Sequence, residues 1–302
     1  MPLGTLSSIE RFNFYTTLSL YMKVNVYEVG PRDGIQYLKR FVPTEMKQNL
    51  ITLLYDSGIA DIEEVSFAHP KRLPQMADAE EVFTGKGAGL VMNKRGFDRA
   101  MTVGVEKINI VFSPCETFNM NNMGKTRSEI VLMYRTFMDK YPKDKVRVYI
   151  SMAFGSPHSG QFSSSTIKSC IKDAKMFGDT VVLSDTIGAA SHNEVSLWAE
   201  LVHDEGLKCA LHLHHKGEES RAVSLVKTGL LAGIKEFDSS IGGLGGCPFA
   251  EGSGANISTG TLVRHLHAWG FDTGIDNSKL KKASSVAESI GTFFNADAIP
   301  SA

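Results

Sequence analysis

The chain has 302 residues, 42% of them hydrophobic and 22% charged, with a formal net charge of -1. This is the composition of an ordinary globular protein with ample material for a core. Near-neutral charge argues against a nucleic-acid partner and against attraction to anionic membranes, and no apolar run approaches the ~20 residues a membrane helix needs.

Residues 1–22 resemble neither a signal peptide nor an Arg-rich transit peptide, and are read as an N-terminal extension. From Lys23 the chain alternates short apolar runs with helical stretches. VNVYEVG (24–30) is the first strand. TEMKQNLITLLYDSG follows as a helix, with Thr44 as its cap and Gly58 as its stop. ADIEEVSF (60–67) is the second strand, with a helix from Met76 to Phe83. GAGLVMN (87–93) is the third, followed by the helical stretch RGFDRAMTVG. EKINIVFS (106–113) is the fourth, and SEIVLMYRTFMDKY its helix, with Ser128 as cap. KVRVYISMAF (145–154) is the fifth, with a helix from Ser165 to Phe177. TVVLSDTIG (180–188) is the sixth, and the helix in SHNEVSLWAELVHDEG stops at Gly206. KCALHLHH (208–215) is the seventh, with a helix through Arg221 to Leu231. KEFDSSIGGLGG (235–246) is the eighth, and helices near 258–270 and 277–291 end the chain.

Strands alternating with helices imply parallel pairing through right-handed crossovers. Eight units of similar length, none with a convincing GxGxxG turn, predict an α/β fold: a (β/α)8 barrel with additional C-terminal helices. Residues 23–302 are therefore read as one catalytic domain, with those helices packed on it. An open doubly wound sheet is the alternative. Cys115, Cys170, Cys209 and Cys247 are scattered without a CxxC pair, which reads as reduced thiols in a cytoplasmic protein.

In a barrel the chemistry sits where the strands run out, and unusual polar residues gather there. His212 and His214, two apart on a strand, point to one side with Cα atoms about 6.5–7 Å apart, while His215 faces the other way. With Asp33 and Asn256 on neighbouring strand ends, two imidazoles and two oxygens suit Mg²⁺ or Mn²⁺, with Co²⁺ or Zn²⁺ as alternatives. Arg32 and Asp33 can both face the cavity once the chain turns at Gly34, and Arg32 would then grip an anionic oxygen. Glu63 and Asp185 are candidates to orient Arg32 or a ligand water, or are buried carboxylates paired with barrel cations. The glycines of GGLGGCP suit a loop that closes and delivers the Cys247 thiol as proton donor or base.

Together VGPRDGIQ, IEEVSFAHPKRLPQM, LSDTIG, HLH and GLGGCPFAEG resemble the 3-hydroxy-3-methylglutaryl-CoA lyase branch of the DRE-TIM metallolyases, over residues 24–260. GLGGCP is the most specific, marking the lyase branch rather than the Claisen synthases. The resemblance implies a metal site of Asp33, His212, His214 and Asn256, and Arg32 steadying an enolate oxygen. It makes Cys247 the catalytic cysteine, with Glu63 and Asp185 as supporting acids, His212 as a proton carrier through its unligated nitrogen, and Lys39 as a basic cofactor-binding residue. It further implies a divalent cation, an acyl-CoA thioester substrate, a homodimer, and cleavage of a 3-hydroxyacyl thioester to acetyl-CoA and a keto acid. A related acyl-CoA/2-oxo acid condensing enzyme or aldolase is the alternative; such condensing relatives carry an extra C-terminal region. Tyr37, Leu38, Met152, His215 and Lys216 depart from the family pattern, which leaves the natural acyl group open, a longer or differently charged one included.

Overall fold

The computed structural model describes residues 22–245 and 254–295. The expected extension lies outside the described residues except for Met22, and Cys247 lies outside them too. The strands are β1 (Asn25–Glu28), β2 (Asp61–Ser66), β3 (Ala88–Leu90), β4 (Lys107–Phe112), β5 (Val146–Ile150), β6 (Thr180–Asp185), β7 (Lys208–His215) and β8 (Glu236–Ser239). Each pairs in parallel with the next, and β8 pairs with β1, so the eight close into a barrel. A two-residue strand, β9 (Ala255–Asn256), runs antiparallel to the end of β7. The flanking helices are α1 (Thr44–Asp56), α2 (Ala79–Val82), α3 (Lys94–Thr102), α4 (Glu116–Met123), α5 (Arg127–Met138), α6 (Ser164–Lys175), α7 (His192–Asp204), α8 (Glu219–Leu231), α9 (Thr259–Ala268) and α10 (Asn277–Asn295). The fold is thus a (β/α)8 barrel with a C-terminal helix, α10, laid against α1. No described helix is long and apolar enough to cross a membrane.

Strand parity decides what faces the barrel axis. Cys209, Leu211 and Leu213 of β7, and Val181 and Leu183 of β6, join the cluster shared with the helices. Burial of each large apolar side chain there contributes about 1.5–3 kcal/mol. The alternate positions Val182 and Ala210 pack inside with Leu90, Val111 and Tyr149. His212 and His214 follow Ala210 on that inner side, by the two-residue repeat of a strand.

Local chemistry moves some expected boundaries. Thr44 does not cap α1: Pro43 takes that place, and Thr44 Oγ1 donates to Asp78 Oδ2 at 2.8 Å. The cap of α5 is Thr126 rather than Ser128, because Glu129 three residues on completes a capping box. Helix α4 was not expected, since ETFNMNNM has no apolar stripe. The Asn119 amide ties it to Ser113 at 2.9 and 2.8 Å, and Gly124 at φ +67° ends it.

Candidate metal centre and active site

The end of β1 does not turn at Gly34 alone. From Gly30 to Gly34 the chain makes one π-helical turn, locked by the Gly30 N–H donating to Glu28 Oε1 at 2.7 Å. That turn swings both Arg32 and Asp33 into the cavity above the barrel. Across the cavity, His212 Nε2 and His214 Nε2 are 2.9 Å apart. Asp33, His212 and His214 are buried, and one ligand atom from each lies within 4.8 Å of the others. Asn256 stands opposite His214 in the β7–β9 ladder, and its Nδ2 donates to Asp33 Oδ2 at 2.8 Å and to Leu244 O at 3.1 Å. The first strand's turn, the seventh strand and β9 therefore meet at one point.

Arg32 is buried between two carboxylates. It pairs with Asp33 Oδ1 at 2.7 Å and with Glu63 Oε2 through Nε and Nη2. Glu63 is fully buried, and its Oε1 accepts from Asn109 Nδ2 at 2.7 Å, which bonds Tyr27 in turn. Burial would raise the Asp33 carboxyl, but the Arg32 guanidinium and the two imidazoles outweigh it and hold Asp33 below the usual range. For Glu63 burial wins and its pKa is raised, despite Arg32.

Sequence reading missed the residues beneath the histidines. Asp238 of β8 is buried and lies 3.2 Å from His212 Nδ1, 2.7 Å from Arg147 Nη2 and 2.8 Å from the Tyr149 hydroxyl. Arg147 lies over the Tyr27 ring at 3.5 Å from its centroid. Burial works against ionising Asp238, but Arg147 and His212 prevail and lower its pKa. The signal was present: in VRVYI and EFDSS, polar residues alternate with apolar ones, the pattern of a strand with a polar inner face.

Asp185, expected beside the centre, is not brought there. Ser184 pairs with His212 and Asp185 with Leu213, so Asp185 takes the outer side. Its oxygens accept from the Ala189 and Ala190 N–H groups at 2.7 and 3.0 Å, bracing the turn after β6. Ser184 faces inward, lines the cavity and has a buried hydroxyl with no partner among the described residues. Lys39 is exposed and does not line the cavity. Cys247 lies outside the described residues. Of the other thiols, Cys115, Cys170 and Cys209 are buried, and burial pushes Cys170 up to about 11.

The departures from the family pattern have local explanations. The Tyr37 hydroxyl accepts from Gly245 N–H at 2.7 Å, tying the segment after the π-turn to the start of the glycine-rich stretch. Leu38 is buried core. Met152 sits at φ +58° and packs with Cys115, Phe118 and Ile187. His215 is half-buried, and Lys216 is exposed.

The cavity measures about 240 Å³. Its polar pole suits a divalent cation on donor chemistry. A carboxylate and two imidazoles converge, and the Asp238 carboxylate at His212 Nδ1 leaves His212 Nε2 as the donor facing the others. Burial, then the nearby His212, lowers the His214 pKa to about 4, so its imidazole is neutral, as a ligand must be.

Residues 23–287 match the family model described as HMGL-like. A mitochondrial hydroxymethylglutaryl-CoA lyase of Arabidopsis thaliana is 37% identical over 269 residues, covering 85% of this chain and 57% of the relative. The chain thus spans little more than half of that relative's length. A cytoplasmic 3-hydroxy-3-methylglutaryl-CoA lyase of Danio rerio is 34% identical over 276 residues, covering 88% of this chain and 82% of its own. Among solved structures, an HMG-CoA lyase of Acinetobacter baumannii in complex with coenzyme A and 3-methylmalate superimposes with a TM-score of 0.79 at 30% identity. That match covers 93% of this chain and 98% of the other.

Proposed function

This chain belongs to the HMGL-like family, and we propose that it is a divalent-metal-dependent carbon–carbon lyase. Its substrate would be a 3-hydroxy-3-methylglutaryl-CoA-like thioester, and its products acetyl-CoA and a keto acid. The observation that carries this reading is the convergence of Asp33, His212 and His214 within 4.8 Å, beside the buried guanidinium of Arg32. The relative that binds coenzyme A supports an acyl-CoA substrate.

Asp33, His212 and His214, with the amide oxygen of Asn256 as fourth donor, would hold the cation. Bound there it supplies Lewis acidity to a hydroxyl oxygen and an adjacent oxygen. Arg32, fixed by Glu63 and Asp33, presents its remaining donor capacity to the oxygen that gains charge as the carbon–carbon bond breaks. Glu63 keeps that guanidinium oriented from beneath, and Asn109 holds Glu63. The Cys247 thiol is proposed to return a proton to the leaving carbon. His212 is proposed to take part in proton movement only through Nδ1, the nitrogen facing Asp238. Lys39 is proposed to meet the coenzyme A portion. A cytoplasmic location, supported by the Danio rerio relative, and a homodimer are proposed on the same family footing.

The test is incubation of purified protein with 3-hydroxy-3-methylglutaryl-CoA and Mg²⁺ or Mn²⁺, with acetyl-CoA release followed by mass spectrometry. Release that stops on chelation supports the reading. Absence of release from this thioester and its 3-alkyl analogues at every metal loading rejects it.

A further inference from the structure

The cavity has two unlike kinds of lining. One is the polar pole of Arg32, Asp33, His212 and His214, with the unpartnered Ser184 hydroxyl beside it. The other is apolar. It consists of Leu90 of β3, Val111 of β4, Met92, and Phe118, Met123 and Met133 of the α4–α5 pair, with Leu90, Val111 and Met92 packed together. Leu90, Val111 and Phe118 are buried, and the three methionines are half-buried. Two further polar side chains of the lining are engaged elsewhere. Asn93 Oδ1 caps α3 by accepting from Gly96 N–H, and His69 Nδ1 accepts from Lys71 N–H. Two further cations of the lining, Arg72 and Lys125, are exposed and half-buried, and Arg72 reaches back to Asn122 O at 3.3 Å.

We infer that the acyl group this lyase accepts bears, on its hydroxyl-carrying carbon, an unbranched apolar substituent longer than methyl, ethyl to butyl in length. Leu90, Met92, Val111, Phe118, Met123 and Met133 seat it. The inference rests on the proposed lyase reading and names its substrate more narrowly. A methyl group at the polar pole would leave most of this wall against water, an arrangement that gains little from an apolar surface. Each further methylene moved into the lobe gains about 0.8 kcal/mol. Methionine suits the task because its unbranched thioether follows chains of differing length. The pantetheine arm of coenzyme A is the poorer occupant. Its two amides need partners, and a buried amide without one is costly, while this wall offers mainly carbon and sulfur.

The experiment uses the metal-loaded full chain and 3-hydroxy-3-alkylglutaryl-CoA thioesters with methyl, ethyl, propyl and butyl substituents. The expected result is kcat/KM rising about fourfold per methylene through the series. Calorimetric Kd values of the free 3-hydroxy-3-alkylglutarates should rank the same way, a readout independent of turnover. Met133→Phe and Met92→Phe, which fill the lobe, should reverse the order. Highest kcat/KM and tightest binding for methyl overturn the inference and leave the lyase reading standing. Equal values across the series, with KM raised for every thioester in Met133→Phe, assign the lobe to the pantetheine arm and overturn it too. No cleavage of any thioester overturns the lyase reading, and the inference falls with it.

Discussion

Replacing Asp238 by Asn isolates the residue that sequence reading overlooked. The change keeps the side chain's shape and removes a buried charge that contacts Arg147 at 2.7 Å, the Tyr149 hydroxyl at 2.8 Å and His212 Nδ1 at 3.2 Å. Breaking a buried ion pair from one side costs about 3–5 kcal/mol. Arg147 keeps a second partner, Glu236 at 2.8 Å, so the expected loss is smaller, about 2–3 kcal/mol. In a domain of this size that lowers Tm by roughly 5–10 °C. The second effect is specific to the metal. Arg147 claims the one remaining oxygen, so the Asn amide turns its NH2 toward His212 Nδ1 and no longer accepts a proton there, and loss of such a partner weakens metal binding by about 10–100-fold. Mn²⁺ titration calorimetry reads the affinity, and differential scanning calorimetry in chelator reads stability without metal. Tyr149→Phe is the control. It removes the hydroxyl that donates to the same carboxylate and accepts from Arg147 Nη1, costs about 1.5–3 kcal/mol, and should leave Mn²⁺ affinity within about threefold. A D238N protein that binds Mn²⁺ as tightly as wild type would refute the tautomer argument, whatever its Tm.

Three further outcomes are expected. Glu28 is buried, and its oxygens accept from Gly30 N–H, Ile241 N–H and Thr259 Oγ1; burial raises its pKa to about 7 from an ordinary 4.5. Its contribution to stability is full below pH 4.5 and lost as pH rises through 7. Wild type should therefore lose on the order of 3 kcal/mol relative to Glu28→Gln over that window, measured by denaturant titration at several pH values. Asp185→Asn should destabilise the fold by about 1–3 kcal/mol, by spoiling the acceptors for Ala189 and Ala190. Its Mn²⁺ affinity should stay unchanged, and a large loss of affinity would return Asp185 to the centre. Gly245→Ala should lower Mn²⁺ affinity at least tenfold. Gly245 has φ +131°, and a Cβ there would overlap the Asn256 amide that holds Asp33.

What could be read from sequence divides along strand parity. His212 and His214 were legible because both lie on one strand, where a two-residue spacing fixes a shared face without knowledge of any neighbour. The barrel was legible because each strand–helix unit announces itself locally. Asp185 was misplaced because its facing depends on register between β6 and β7, where Ser184 and not Asp185 stands beside His212. Asp238 went unnoticed since a carboxylate in EFDSS has no meaning until β8 closes against β7 and β5 sends Arg147 and Tyr149 across the barrel. Arg32 and Asp33 were expected to share the cavity and do so, but through a π-turn starting at Gly30 whose neighbour Glu28 is held by the distant Ile241 N–H. Helix α4 escaped because a side-chain amide, rather than an apolar stripe, secures it.

The claim on which the rest depends is that Asp33, His212 and His214 grip one divalent cation. Crystals soaked in Mn²⁺ and measured across the manganese absorption edge test it directly. The account predicts a single anomalous peak between the Asp33 carboxylate and the two imidazole Nε2 atoms, absent from Asp33→Asn crystals treated alike. A peak elsewhere, or none at this place with Mn²⁺ in excess, would contradict it.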